Sequence, residues 1–419
     1  MNKIIINQEP VLIKTKKYST IDFSFIYPIK YDKKYLYYPD FLKNILITSC
    51  FDYKTEQEFR LEMDKRLIIR YRIIPRRYLN NIYVEFNFCL PDPKKIKYDI
   101  SSAISLIMNS ILKPNANDCS FNQDAFKREY DYFFELYNNM KVNNNNKIYR
   151  DFLKSFNAKL FNKYSFIANL KDFDKITSTS LYEYYEKNIR NNFPLVYVFG
   201  NITSNEVNNL LSSFIEKRIK PVKIPKDYYF FINPRKETQY LEKKYKTSTS
   251  TLYLAYFKDN MKKEELIYYY FLNDIFNLSI GVSPLFKKLR VENNLIYDIS
   301  ASLISSYGVF YIETYLNVSK KDIVLKLVNE CFQELKKKEV IIKYQDLVIK
   351  MLKDNLLREK DSKYASLSNR ITKDLELGYL ESEYLEIYKN IDIDLFMEFL
   401  NDLKLDTVYL AKGVLDERS

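Results

Sequence analysis

Hydrophobic and polar residues alternate along two separated segments of the chain, and each segment then changes to a helical spacing. The first segment begins at Thr20 (TIDFSFIYPIK) and the second at Thr251 (TLYLAYFK). In both, a charged turn is followed by apolar residues spaced i, i+1, i+4, a pattern typical of one buried helical stripe. The stripe residues are Phe41, Leu42 and Ile45 in the first segment and Phe271, Leu272 and Ile275 in the second. Each segment therefore predicts a strand, a turn and an amphipathic helix.

A second similarity links the stretches that close the two halves of the chain. ITSTSLYEYYEKN followed by VYVFGNI resembles IDIDLFMEFLNDL followed by VYLAKGVL. Thr177 and Asp392 stand where each helix is predicted to begin, and both residue types cap helices through a side-chain oxygen. In each half, a helix is therefore expected to lead into a closing strand.

The repetition indicates a duplication into two units of about 200 residues each. We predict an N-terminal unit at 1–218, a linker at 219–235 and a C-terminal unit at 236–419. The linker is placed where Pro221, Pro225 and Pro234 interrupt both periodicities. Strands and helices do not follow a repeating βαβ order, which favours mostly antiparallel sheets covered by helices, an α+β fold.

Composition excludes several kinds of catalytic site. The 419 residues contain no histidine, so the chain has neither a Ser-His or Cys-His nucleophile pair nor a His-ligated zinc site. The cysteines, at Cys50, Cys89, Cys119 and Cys331, are too far apart in sequence for a zinc knuckle. No glycine-rich phosphate-binding motif occurs among the five glycines. Any catalysis must use carboxylates or a second polypeptide.

Charge and hydropathy bear on partners and compartment. No apolar run is long enough for a membrane span, and the apolar stretch at the N-terminus is too short for a signal peptide. We therefore expect a cytoplasmic protein with reduced thiols. The net charge is +12, and Arg70 and Arg72 alternate with Tyr71 so that both arginines share one strand face. A functional basic face and a plain solvated strand both fit this pattern. Without an RNA-binding motif, we expect no nucleic-acid partner.

One stretch of the second half, GVSPLFKKLRVENNLIYDISASLISSYGVFYIETYLN, begins at Gly281 and carries a resemblance to a known family. It resembles the C-terminal signature of insulinase-like (pitrilysin-type) zinc peptidases, S-x-L-F-x-x-L-R-E-x-x-x-L-x-Y. The matching residues are Ser283, Leu285, Phe286, Leu289, Arg290, Leu295, Tyr297, Gly308 and Phe310. One departure is Val291, where the family often has Glu. The duplicated α+β architecture also fits the family.

The resemblance implies an inverted zinc motif, H-x-x-E-H, on the first helix, and here that motif is degenerate. Asp40 and Asn44 occupy the two histidine positions, and Lys43 occupies the catalytic glutamate position. A lysine ammonium cannot act as the general base and would repel the metal. Glu129 matches the first distal glutamate of the family, but Leu136 stands at the ligand-spaced position. We therefore expect no metal in this chain.

In two-subunit bacterial peptidases similar to this family, the subunit without zinc contributes an arginine and a tyrosine spaced seven residues apart. Arg290 and Tyr297 have that spacing. The resemblance implies that Arg290 binds the peptide substrate, that Tyr297 stabilises the oxyanion of the transition state, and that a homologous partner carries zinc and the general base. Short matches, such as FKRE and LYEYYEKN, resemble the zinc-lacking subunits of Gram-positive bacteria.

Three functions follow from these observations. The leading one is a non-catalytic subunit of a heterodimeric zinc metalloendopeptidase, inactive alone. The second is a structural or chaperone-like peptide-binding subunit with no part in catalysis, because an arginine and a tyrosine at these positions also occur as structural residues. The third, a nucleic-acid-binding protein using the basic face and its tyrosines, has the least support.

Overall fold

The chain folds into two units that share one sheet topology. The structure, a computed structural model, describes residues 3–6, 8–78, 81–164, 175–217, 229–375 and 381–414. The first unit comprises Met1–Asn139 with Tyr164–Asp227, and the second comprises Met140–Lys163 with Tyr228–Ser419. The second unit thus includes a segment that lies inside the predicted N-terminal stretch, 1–218.

Only part of the predicted linker, 219–235, lies among the described residues. Pro221 and Pro225 lie outside the described residues. At its far end, Arg235 is fixed to the second unit, because its backbone N and its Nη2 each donate to the Asp406 carboxylate at 2.6 Å.

The first 217 residues supply the sheet of the first unit and its helices. In chain order the elements are β1 (Ile4–Ile6), β2 (Val11–Lys14), β3 (Thr20–Lys30), α1 (Tyr38–Thr48), α2 (Glu56–Lys65), β4 (Arg70–Tyr78), β5 (Asn81–Pro91), α3 (Ile100–Leu112), β6 (Ala116–Asn117), β7 (Ser120–Phe121), α4 (Gln123–Val142), α5 (Asn144–Tyr164), α6 (Ser178–Tyr185), β8 (Leu195–Gly200), α7 (Ser204–Leu211) and β9 (Ile215–Lys217). The five-stranded sheet has the order β2-β8-β3-β5-β4, antiparallel except for the parallel pair β2 and β8.

The second unit is built from the remaining elements and from α5. In chain order these are β10 (Gln239–Tyr245), β11 (Ser250–Lys258), α8 (Leu266–Phe276), α9 (Pro284–Phe286), β12 (Ile296–Ile304), β13 (Val309–Leu316), α10 (Lys321–Leu335), α11 (Lys338–Asp361), α12 (Lys363–Asp374), α13 (Glu381–Lys389), α14 (Ile393–Asp402) and β14 (Leu403–Gly413). The sheet order, β10-β14-β11-β13-β12 with only β10 and β14 parallel, repeats that of the first unit strand for strand. The α+β duplication is therefore confirmed.

The predicted helical stripes form the centres of the two cores. On α1 the side chains of Phe41, Leu42 and Ile45 are fully buried, and the equivalent stripe on α8 is fully buried as well. In the first unit the stripe packs in one hydrophobic cluster with apolar residues of β3 and β5, where Phe23 and Phe88 stack at 4.9 Å between ring centroids. The i, i+1, i+4 spacing therefore identified the faces of the two helices that pack against the sheets.

Both predicted helix caps are also confirmed. The Thr177 side chain accepts from the backbone N of Ser180 at 3.0 Å, and Asp392 Oδ1 accepts from the backbone N of Asp394 at 3.0 Å. The helices that they cap, α6 and α14, precede the closing strands β8 and β14. No helix among the described residues has both the length and the apolar character needed to cross a bilayer.

Helix α5 leaves the first half of the sequence to cover the outer face of the second sheet. Ile148 and Phe152 are buried there in a cluster of strand aromatics, with Phe152 stacked on Tyr253 at 4.3 Å. Strand β11 is buried along almost its whole length, so its sheet needs cover on both faces. The layer that contains α8 covers one face of the sheet, and α5 covers the other. Asp151 of α5 also accepts from Lys243 Nζ at 2.5 Å.

Truncating the aromatic anchor of α5 is expected to destabilise the second unit. Phe152→Ala removes a fully buried ring from the sheet surface and should lower the free energy of unfolding by about 3–5 kcal/mol. Urea unfolding followed by circular dichroism measures this loss. Lys147→Ala, on the same helix but exposed, is the matched control and should stay within about 0.5 kcal/mol of wild type. Equal losses would show that α5 is not held by its apolar face.

The ionic contact of α5 makes part of the stability dependent on pH. Burial opposes ionisation of Asp151, but hydrogen bonds from Lys243 and Tyr245 outweigh it and lower the pKa of this carboxyl. Because the folded pKa lies below the unfolded value of about 3.9, the stabilisation is present above that value and disappears as pH falls below it. Asp151→Asn should therefore be less stable than wild type near neutrality, with the difference shrinking in acid. Asp259→Asn, an exposed control, should show no such convergence in urea titrations.

Candidate functional site

Helix α1 carries the three positions of the degenerate zinc motif. It begins with Pro39 in its first turn and buries Phe41 against α4, where the rings of Phe41 and Phe133 stack at 4.5 Å. This packing turns the opposite side chains, Asp40, Lys43 and Asn44, to partly buried positions. The sequence-predicted positions therefore lie together on one helix, and the side chains around them decide what they can bind.

The first motif position is held by an arginine. Arg77 of β4 donates through Nη2 to Asp40 Oδ2, and the two side chains are 21% and 24% exposed. Burial lowers the pKa of the Arg77 guanidinium, although neighbouring tyrosines oppose that shift. Arg77 was not recognised from the sequence, because its pairing with Asp40 depends on how β4 lies beside α1. The permanent positive charge of Arg77 therefore lies against the carboxylate that would have to bind the metal.

The second motif position is tied to the distal glutamate. Asn44 Nδ2 donates to Glu129 Oε2 at 2.9 Å, and Arg128 Nε contacts the other oxygen, Glu129 Oε1, at 3.3 Å. Glu129 is only 8% exposed. The resemblance placed Asn44 and Glu129 at positions that share one metal, and the structure brings these two side chains together. Leu136, at the remaining ligand position, is 37% exposed and offers no donor atom.

These residues do not fit a zinc ion. The Asp40 carboxylate is occupied by a guanidinium, Asn44 uses its amide as a donor, and Lys43 adds a positive charge. Within the described residues, no group of three or more potential ligands of the His, Cys, Asp and Glu types is close enough to hold a metal. The four cysteines form no disulfide, and burial raises the pKa of Cys331 to about 12, which keeps it protonated at neutral pH.

In the second unit, Arg290 lies at the end of a short helix. Ser283 caps α9 by accepting from the backbone N of Phe286 at 3.4 Å, and one π-type turn, Lys287–Val291, follows. Leu285, Leu289 and Leu295 of the resemblance are buried in the core of this unit. These apolar residues therefore fix the backbone on both sides of Arg290.

A left-handed turn then connects Arg290 to β12. Asn294 has φ +48°, a conformation that asparagine tolerates better than most residues. Arg290 Nη1 donates to Asn294 Oδ1 at 3.0 Å and to the backbone carbonyl of Ile296 at 2.7 Å. The asparagine pair in ENNLIY is the sequence signal that would have indicated this turn. The family signature does not reveal the turn, because it specifies the apolar residues, the arginine and the tyrosine but not the asparagines between them.

Tyr297 occupies a β-bulge at the start of the edge strand β12. Ile296 pairs with Leu316 and Asp298 pairs with Tyr315, so Tyr297 has no opposite residue in the ladder. Its side chain is 52% exposed. Bulges redirect a side chain and are frequent beside active sites. Arg290 therefore donates to the carbonyl of Ile296, the residue directly before Tyr297.

The basic strand face is largely neutralised within the first unit. Arg70 and Arg72 do share one face, but Arg70 Nη2 contacts Asp22 Oδ1 at 2.7 Å. Arg76, on the same face, contacts the buried Glu85 at 3.0 Å. Arg72 remains exposed. Two of these arginines thus balance buried carboxylates and do not form a free cationic surface.

Breaking the contact at the first motif position is expected to destabilise the first unit. Asp40→Asn leaves the partly buried Arg77 without a counter-charge and should lower the free energy of unfolding by about 1–3 kcal/mol. Lys43→Ala on the same helix is the matched control and should change it by less than about 0.5 kcal/mol. Chemical denaturation measures both. Similar values for the two variants would contradict a structural role for the Asp40–Arg77 pair.

The comparisons with known proteins agree with this fold. Residues 175–341 match a family model described as the peptidase M16 inactive domain. A conserved protein from Enterococcus faecalis superposes with a TM-score of 0.81 at 16% identity, covering 96% of each chain. A protease from Helicobacter pylori gives 0.72 at 13% identity, covering 98% of this chain and 99% of that one. A peptidase M16 inactive domain from Pseudomonas fluorescens gives 0.68 at 12% identity, over 97% and 96%. No curated protein matches significantly.

Proposed function

We propose that this chain, which matches the M16 inactive-domain model over residues 175–341, is an M16, or insulinase-like, family member without the zinc motif and is the non-catalytic subunit of a heterodimeric zinc peptidase. In this role it binds a peptide substrate through Arg290 and Tyr297, and a homologous partner carrying H-x-x-E-H supplies zinc and the general base. We place this activity in the cytoplasm. The proposal rests on a contrast between two places in the chain. Asp40 and Asn44 of the metal motif are held by other side chains, whereas Tyr297 of the Arg-Tyr pair is exposed.

The closed motif supports the non-catalytic part of the proposal. Converting α1 into a zinc site would require replacement of its ligand positions and removal of the guanidinium that contacts Asp40. A general base is also missing, because Lys43 stands at that position. Activation of water must therefore come from another chain.

The turn around Arg290 supports the substrate-binding part. Two hydrogen bonds through Nη1 hold the guanidinium, while its remaining N–H groups are left for a ligand. A phenol in a bulge at a strand edge can donate to the oxyanion that develops on a scissile carbonyl. Substrate and transition state would then both be contacted by residues of one short segment.

Reconstitution tests the proposal directly. This chain is mixed with a homologous subunit that carries H-x-x-E-H, and cleavage of fluorogenic peptides is followed. Neither subunit should cleave alone, and the mixture should be active. Tyr297→Phe, which removes one oxyanion donor, should lower kcat by about 10²–10³-fold. Arg290→Ala should raise KM by about tenfold or more.

Control variants separate these effects from loss of folding. Tyr240→Phe and Arg358→Ala change exposed residues of the second unit and should leave turnover as in wild type. Metal analysis of the separated subunits should find zinc in the partner only. Stoichiometric zinc with peptidase activity in this chain alone would overturn the proposal.

A structural or chaperone-like peptide-binding subunit is the second candidate. It is favoured by the contact of Arg290 with the Ile296 carbonyl, because this hydrogen bond closes the turn whether or not substrate is present. In that case both variants would assemble with the partner and leave kcat and KM unchanged. Reduced turnover with intact assembly would instead favour the transition-state role.

A further inference from the structure

Arg290 differs from most arginines of the described residues, because it has no carboxylate partner. Ion pairs are formed by Arg60, Arg66, Arg70, Arg76, Arg77, Arg128, Arg190, Arg235 and Arg370. Arg290 is partly buried, and its contacts in the described part of the chain are two neutral oxygens. Its positive charge is therefore held in place without being balanced.

The two contacts leave one edge of the guanidinium open. Both the Asn294 and the Ile296 oxygens are bound by Nη1. The N–H of Nε and the N–H groups of Nη2 are not used by either contact. Nε and Nη2 together form a planar fork whose two parallel donors match the two oxygens of a carboxylate.

The equivalent turn of the first unit shows that closing the turn does not require such an arginine. Leu67 has φ +56°, and its backbone N donates to the carbonyl of Asp64, three residues earlier, at 3.0 Å, whereas the backbone N of Asn294 donates to the carbonyl of Arg290, four residues earlier, at 3.1 Å. There the arginine of the turn, Arg66, is paired with the Glu62 carboxylate. The first unit thus forms a left-handed turn before its edge strand without an arginine that lacks a carboxylate partner.

The surroundings of Arg290 are accessible to a ligand. Val291 is 58% exposed, and Tyr297 is 52% exposed. A bound chain would therefore meet a fixed cationic fork, an apolar side chain and a phenol within one short segment. Because the guanidinium is already positioned, binding loses little side-chain entropy at this residue.

We propose that the Nε/Nη2 edge of Arg290 binds a carboxylate of the peptide substrate, so that the heterodimer prefers peptides with a negative charge at this position. The carboxylate is either the C-terminus of a short peptide or the side chain of an internal Asp or Glu. This carboxylate site rests on the proposed function and deepens it, because it names the chemical class of substrate that this subunit selects.

Four forms of one fluorogenic peptide distinguish the two sources. The peptide carries either a free C-terminus or a carboxamide, and either an internal Glu or a Gln, and the reconstituted heterodimer cleaves each form. If the C-terminus is bound, amidation should raise KM by about tenfold to a hundredfold, whereas Glu to Gln should have little effect. If a side chain is bound, the reverse is expected. Equal KM values for all four forms would overturn the carboxylate site.

Two conservative variants test whether Arg290 is responsible. Arg290→Lys keeps the charge but loses the fork, and it should reduce the preference for carboxylate. Asn294→Asp introduces a carboxylate at the 3.0 Å contact and balances the charge, so the preference should also fall, while Arg358→Ala should keep it. A preference that is unchanged in both Arg290→Lys and Asn294→Asp would assign the discrimination to another residue.

The failure of this inference is distinguishable from failure of the proposed function. Activity of the heterodimer without carboxylate preference refutes the carboxylate site and leaves the proposed function standing. If no partner confers activity, the proposed function fails, and peptide binding to this chain alone is then measured by calorimetry. One comparison is between hexa-alanine with a free C-terminus and hexa-alanine with a carboxamide. The other is between a hexapeptide with an internal Glu and the same peptide with Gln. Binding that depends on a carboxylate and on Arg290 would support the site, and its absence would refute it.

Discussion

The contact between Arg77 and Asp40 limits what helix α1 can bind, because a guanidinium held against the Asp40 carboxylate repels a divalent cation at that position. A zinc site needs anionic or neutral donors that point at one empty position. Here the first donor faces a cation, and the second, Asn44, spends its amide hydrogen on Glu129. The four residues contact one another as pairs, and a metal bound here would also face the like charges of Arg77 and Lys43.

The duplication allows the sheets, helices and turns of the two units to be compared directly. Both units use the same sheet order and the same stripe of helical residues on the helix after the central strand. They also close the turn before the edge strand in the same left-handed conformation, at Leu67 and at Asn294. The turns differ in span and in the place of the arginine, but the pairing of Arg66 with Glu62 shows that the fold forms such a turn without an arginine that lacks a carboxylate partner.

The sequence predicted those parts of the fold that depend on local pattern. The buried stripe at Phe41 and the caps at Thr177 and Asp392 follow from spacing and residue type within one element. The position of α5 could not be predicted, because an amphipathic helix reveals that it has a buried face but not which sheet covers it. The same limit applies to the Arg77–Asp40 pair and to the bulge at Tyr297, since both depend on how separate strands and helices are aligned.

The contact of Arg290 with the Ile296 carbonyl does not force a choice between a structural and a binding role. A guanidinium has five N–H groups, and the two contacts of Arg290 are both made through Nη1. Nη1 therefore closes the turn, while the Nε/Nη2 edge is held at a fixed orientation beside the bulge that carries Tyr297. A side chain fixed in this way loses less entropy on binding than a free one. The structural contact therefore favours binding of a ligand at the Nε/Nη2 edge. One side chain can therefore close the turn through Nη1 and still present the Nε/Nη2 edge to the proposed carboxylate.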